Sequence, residues 1–80
     1  MILKVISADD LIFEGGISTV TLPGEMGAFT VLKNHASLIS TLTAGKIVYT
    51  PTDGNGEEQV REIESGIVDV DNNVVSVCLY

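Results

Sequence analysis

Eighty residues suffice for one domain with a small core, because a chain of this length buries only about 60 to 65% of its unfolded surface. One cysteine, Cys78, excludes an internal disulfide, and a single histidine excludes an ordinary structural zinc site. Eleven Asp and Glu against four scattered Lys and Arg give a net charge of −7; this excludes a clustered basic surface for nucleic acid and leaves the acidic excess to solubility or to a basic protein partner.

The opening MILKVISADD carries Lys4, Asp9 and Asp10, so it lacks the long apolar centre of a signal peptide. No window approaches the roughly 20 apolar residues that span a bilayer. The expectation is a soluble protein that meets a membrane only through a partner, and its lone thiol in an apolar strand fits a reducing compartment.

In chain order the hydrophobic period is two almost throughout. Leu3 and Val5 alternate with Ile2, Lys4 and Ile6, and Ile17, Thr19 and Thr21 alternate with Ser18, Val20 and Leu22. Strands are predicted next at Ala28 to Leu32, Leu38 to Leu42, Lys46 to Thr50, Gln59 to Glu64, Ile67 to Val70 and Val74 to Leu79, all rich in Val, Ile, Thr and Tyr. Turn signals punctuate them at Glu14-Gly15-Gly16, Pro23-Gly24, Ala44-Gly45, residues 51–56, Ser65-Gly66 and Asp71-Asn72-Asn73. The Glu57 to Arg61 spacing would suit a helical turn, but nine residues between Gly56 and Gly66 are too few for a stable helix, so a strand is predicted there as well. Short strands at this spacing mean a sandwich or barrel formed by residues 1–80 as one domain.

Two features point to binding. Pro23, Gly24 and Gly27 form a permissive corner that leaves Met26 and Phe29 little room to hide, so the corner reads as a docking surface. The alternation is also imperfect: Ile2, Ile6, Ile39, Val68, Val75 and Val77 sit opposite positions that are themselves apolar. Either both layers are covered within the fold, or an outer face is covered by something else.

Catalytic groupings are not recognisable. His35 has Ser37 and Ser40 near it without a nucleophile elbow, which favours a structural or interface histidine over a small hydrolase. The adjacent pairs Asp9-Asp10 and Glu57-Glu58 point to opposite faces of a strand or sit in loops. GEMGAF lacks the Lys-Ser/Thr ending of a phosphate loop. No cofactor, metal or small-molecule substrate is expected. A lipoyl or biotinyl carrier domain is the rival from another class; it needs a lysine on a hairpin tip, and Lys46, flanked by Gly45 and Ile47, is the nearest candidate.

Four stretches in order, KVISADDLIFEG, TVTLPGEMGAFTVLKNHASL, LTAGKI and ESGIVDVDNNVVSVC, resemble the N-terminal β-sandwich domain of the epsilon subunits of proton-translocating F-type ATP synthases. The resemblance covers the whole chain. The family commonly has Gly at Thr30, Pro-Gly at Lys33-Asn34, Pro at Ser37 and Pro-Gly at Ala44-Gly45; these departures fall in turns, and Asn34 tolerates the left-handed backbone that Gly would supply.

The resemblance implies an all-β fold, a ten-stranded sandwich of two mainly antiparallel sheets. It implies a non-catalytic central-stalk subunit, peripheral on the cytoplasmic side of a bacterial inner membrane, that attaches the gamma subunit to the c-ring. By position, Ser7, His35, Ala36 and Ser40 match residues facing gamma. Glu25, Met26, Gly27, Ala28 and Phe29 match the c-ring contact. Many family members continue into a C-terminal helical hairpin, whereas this sequence stops at Tyr80, so the inhibitory arm and its ATP-sensing site are expected to be absent. A further regulatory partner at the acidic loop 53–58 is the remaining possibility.

Overall fold

The computed structural model describes residues 1–8 and 10–80, so half of the Asp9-Asp10 carboxylate pair lies outside the described residues. Eight strands follow one another without a helix among those residues: β1 (Ile2–Ser7), β2 (Asp10–Gly24), β3 (Gly27–Val31), β4 (Leu38–Leu42), β5 (Gly45–Pro51), β6 (Gln59–Ile63), β7 (Gly66–Asp71) and β8 (Val74–Leu79). The all-β expectation holds, and the segment with helical spacing is the strand β6.

There are eight strands among the described residues where the resemblance implies ten; β2, a single ribbon of 15 residues that serves two layers, accounts for one of the two. Its first half pairs antiparallel with β1 through Gly16, and from Ile17 onward it pairs with β5 and then β3. One layer therefore holds β1, β8, β7 and β4 beside the start of β2, and the other holds β3, β5 and β6 around its end. Hydrogen bonding runs unbroken through β2, so the two expected sheets are the halves of one folded-over sheet. Among the described residues all pairings are antiparallel except β1 with β8.

Two of the predicted turns move. Glu14-Gly15-Gly16 does not turn, because Gly15 and Gly16 are paired with Leu3 and Ile2. Local glycine content signals a turn, but long-range pairing overrides it here. At the corner Pro23 and Gly24 stay in the strand, opposite Ala28 and Gly27, and the turn is Glu25-Met26. Pro23 has no N–H to donate, but its carbonyl accepts the Thr43 N–H at 2.9 Å. Asn72-Asn73 joins β7 to β8 with both residues at positive φ, 50° and 63°, the backbone of a type I′ hairpin.

One face of each strand builds the core. Leu3, Val5, Ile17, Val20, Leu22, Val31, Leu42, Ile47, Ile63, Val68, Val70, Val75 and Val77 are buried, and they come from both layers. Val68, Val75 and Val77, whose neighbours are also apolar, are thus covered within the fold. Ile17 and Val20 are three apart yet both buried, which a regular strand forbids. The register explains it: Ile17 pairs with Pro51 and Thr19 with Thr50, so Ser18 is the extra residue of a β-bulge that resets the alternation.

Candidate docking surfaces

The corner at 23–29 is held from two sides. Glu25 N–H donates to Thr41 O at 3.0 Å, and Thr43 N–H donates to Pro23 O, tying the hairpin to the end of β4. Gly24 is buried where an added Cβ would lie 2.7 Å from Gly27 O and 2.8 Å from the Phe29 ring. Gly27 takes φ +122°, a conformation that L side chains rarely adopt. These constraints hold Met26 out as a fully exposed side chain, 100% accessible, with Glu25, Gly27 and Ala28 exposed around it. Phe29 turns the other way and packs against the core. Of the five residues matched to a c-ring contact, four form the tip and the fifth supports it from behind.

Ser7, His35, Ala36 and Ser40 all belong to the β1-β8-β7-β4 layer or to the loop that leads into it. They do not form one cluster. Ser7 closes β1 beside Leu79, at the same end of the layer as Leu42, whereas His35 precedes the opposite end of β4, where Leu38 meets Val70. His35 is exposed; its N–H donates to Leu32 O at 3.1 Å and its Nδ1 to Ala36 O at 2.7 Å. Ser40 is half-buried on the core side of β4, opposite Val68, with its hydroxyl 3.2 Å from Thr41 O. The neighbouring Ser37 donates to Asp71 Oδ1 at 2.6 Å, so its hydroxyl serves the loop and not His35.

Sequence reasoning missed how the outward residues of this layer line up. The registers place Leu11, Ile6, Cys78, Ile67 and Thr41 in one row across β2, β1, β8, β7 and β4. Leu11 and Ile67 are exposed, Ile39 beside them is 70% accessible, and the Cys78 thiol is free and exposed. The broken alternation marks Ile6 and Ile39, but only strand register brings them onto one face with Ile67 and Leu11. This is an apolar stripe on an otherwise acidic molecule.

Nothing in the rival readings gains from the geometry. Lys46 stands inside β5 opposite Glu62, not on the hairpin tip that a carrier domain requires. Among the described residues no three His, Cys, Asp or Glu side chains gather as metal ligands, and no polar side chain is buried.

Residues 1–79 match the family model described as ATP synthase, Delta/Epsilon chain, beta-sandwich domain. The chain is similar to the ATP synthase epsilon chain of Nitratiruptor sp., 44% identical over 71 residues that make up 89% of this chain and 54% of that one. It is also similar to the ATP synthase epsilon chain of Bordetella petrii, 40% identical over 75 residues, 94% of this chain and 52% of that one. It thus spans about half the length of these relatives. Among solved structures its fold resembles a chain of the Euglena gracilis mitochondrial ATP synthase, OSCP/F1/c-ring, with a TM-score of 0.89 and 21% identity over 99% of this chain and 49% of that chain. It also resembles one from the Tetrahymena thermophila mitochondrial ATP synthase central stalk/c-ring, with a TM-score of 0.82 and 12% identity over 98% and 61%.

Proposed function

The chain belongs to the ATP synthase delta/epsilon family through its β-sandwich domain, and from that premise we propose that it is a non-catalytic coupling piece of the central stalk. The outer face of the β1-β8-β7-β4 layer, with Ile39, Ile67, Ile6 and Leu11, attaches the gamma subunit; His35 and Ala36 extend that contact at one end, and Ser7 and Ser40, on the core side of their strands, support it from behind. The Met26 hairpin touches the polar loops of the c-ring. Assembled so, the protein sits peripherally on the cytoplasmic side of a bacterial inner membrane.

The observation that carries this reading is the separation of the two surfaces. The Met26 tip belongs to the β2–β3 hairpin of one layer, and the apolar stripe lies on the outside of the other. A linker between two rotating bodies needs two such surfaces on a stiff frame. Shape and burial do the work, with no chemistry of its own. An interface of ordinary size takes about 600 to 1,000 Å² from each partner. The accessible surface is 4814 Å², so two such contacts would claim roughly a quarter to two-fifths of it.

The test is a titration of the chain against purified cognate gamma subunit. Saturable one-to-one binding, weakened by an Ile39→Asp, Ile67→Asp double variant and unaffected by Met26→Ala, is the expected result. Absence of micromolar binding by a folded chain would reject the gamma contact.

A further inference from the structure

A third surface lies apart from the Met26 tip and the apolar stripe, and its properties do not depend on the roles proposed for those two. The first half of β2 pairs only with β1, and β6 pairs only with β5, so among the described residues each has one unpaired edge. Both edges border one open groove of about 440 Å³, reached by Phe13 to Gly16 of β2 and by Gln59 of β6. Its floor is aromatic: the Phe13 and Tyr49 rings stand 4.7 Å apart, inclined at 46°. The Phe13 ring lies over Gly15, where an added Cβ would be 3.2 Å from its tip, and the open edge ends at Gly16, whose carbonyl accepts the Thr52 N–H at 3.1 Å. The loop after β5 brings Asp53 and Glu57 to the rim. A third carboxylate, Glu14, is 3.9 Å from Lys4 Nζ and so is partly matched already.

We infer that this groove binds an extended, Arg- or Lys-bearing segment of a partner protein. Three independent features select that occupant. The Ile17 N–H to Met1 O bond sets the alternation of the β1–β2 ladder, so Phe13 and Gly15 bond to β1 while Glu14 turns its N–H and C=O to the open edge and offers them to an added strand. The aromatic floor attracts a cation through its ring faces, and guanidinium stacks there best. Among the described residues Asp53 and Glu57 on the rim have no basic partner, and they stand on a molecule of net charge −7, which repels acidic segments and steers basic ones in. A free small anion satisfies none of these conditions, and an acidic peptide meets only the first.

The experiment uses the intact chain and a short fluorescein-labelled peptide of alternating arginine and valine. Saturable binding is expected, with amide chemical-shift changes concentrated at Phe13 to Gly16, Tyr49 and Gln59, and with new exchange protection at Glu14, whose amide faces the open edge. An Asp53→Asn, Glu57→Gln variant, altered only at exposed side chains, should bind about tenfold more weakly. Tyr49→Leu should weaken binding while the shift changes that remain stay in the groove. A peptide with glutamate in place of arginine should not bind. The inference is overturned if the peptide fails to saturate, if the acidic-loop variant binds as tightly as the native chain, or if the shift changes spread over the acidic surface or fall on the apolar stripe.

Discussion

Asn34 and Asn73, 39 residues apart, hold each other through a reciprocal pair of hydrogen bonds. The Asn34 backbone N–H donates to Asn73 Oδ1 at 2.6 Å, and the Asn73 side-chain amide donates to Asn34 Oδ1 at 3.0 Å. Both residues are left-handed, at φ 65° and 63°. The pair clips the loop carrying His35 and Ala36 to the β7–β8 turn, so that loop is positioned by the same layer that presents the apolar stripe.

Asn73→Ala removes both bonds and puts a Cβ-bearing residue with no local hydrogen bonds in the left-handed region, so it is expected to lower unfolding stability by about 2 to 4 kcal/mol. Asn73→Gly loses the bonds but not the backbone fit, and should cost about half as much. Urea unfolding of the two variants measures the difference; equal losses would show that backbone conformation contributes nothing at this turn.

Gly24→Ala drives a Cβ into Gly27 O and the Phe29 ring, and it is expected to destabilise the chain by about 1 to 3 kcal/mol through overpacking. It should also shift the amide resonances of the Met26 turn. Gly54→Ala meets nothing within 4 Å and should change stability by less than about 0.5 kcal/mol. Thermal unfolding separates them.

Deleting Ser18 removes the bulge, so every β2 residue on one side of it would change face. The deletion is expected to abolish cooperative unfolding. Ser18→Ala keeps the extra residue and loses only a 3.4 Å contact to Thr50 O, at a cost below about 1 kcal/mol. Cooperative melting of the deletion variant would refute the role assigned to the bulge.

The strands themselves were legible because Val, Ile and Thr alternate locally, and β3 to β8 fall within a residue or two of expectation. The left-handed tolerance of Asn34 was legible for the same local reason. The continuity of β2 was not: Gly15 and Gly16 look like a turn until β1 arrives as their partner, and that pairing is not local. Nor was the Ser18 bulge, which is visible only as a register shift against β5. For the candidate surfaces, the exposed Met26 corner could be read from Pro23, Gly24 and Gly27. The apolar stripe could be suspected from Ile6 and Ile39, but its extent depends on which residues of four strands stand opposite one another. The Phe13–Tyr49 groove joins positions 36 residues apart in the sequence and left no signal in either segment.

Exposed and buried positions of the same layer should respond in opposite ways. Val77→Ala, at a fully buried site, is expected to cost about 1 to 3 kcal/mol of stability, with gamma binding preserved under conditions where the domain stays folded. Ile39→Asp, on the outer face, should alter stability by no more than about 1 kcal/mol and weaken gamma binding at least about tenfold. Calorimetric unfolding and titration of both variants test the assignment; equal binding by Ile39→Asp would remove this face from the interface.

The most direct measurement is retention of gamma on immobilised c-ring with and without the chain. With the native chain present, gamma should be held on the ring in a ternary complex. A Met26→Asp variant should bind gamma yet release the ring, and the Ile39→Asp, Ile67→Asp variant should reach the ring without carrying gamma. Gamma retention that is unchanged by the chain, or lost equally and at the same contact in both variants, would contradict a linker with two separate docking surfaces.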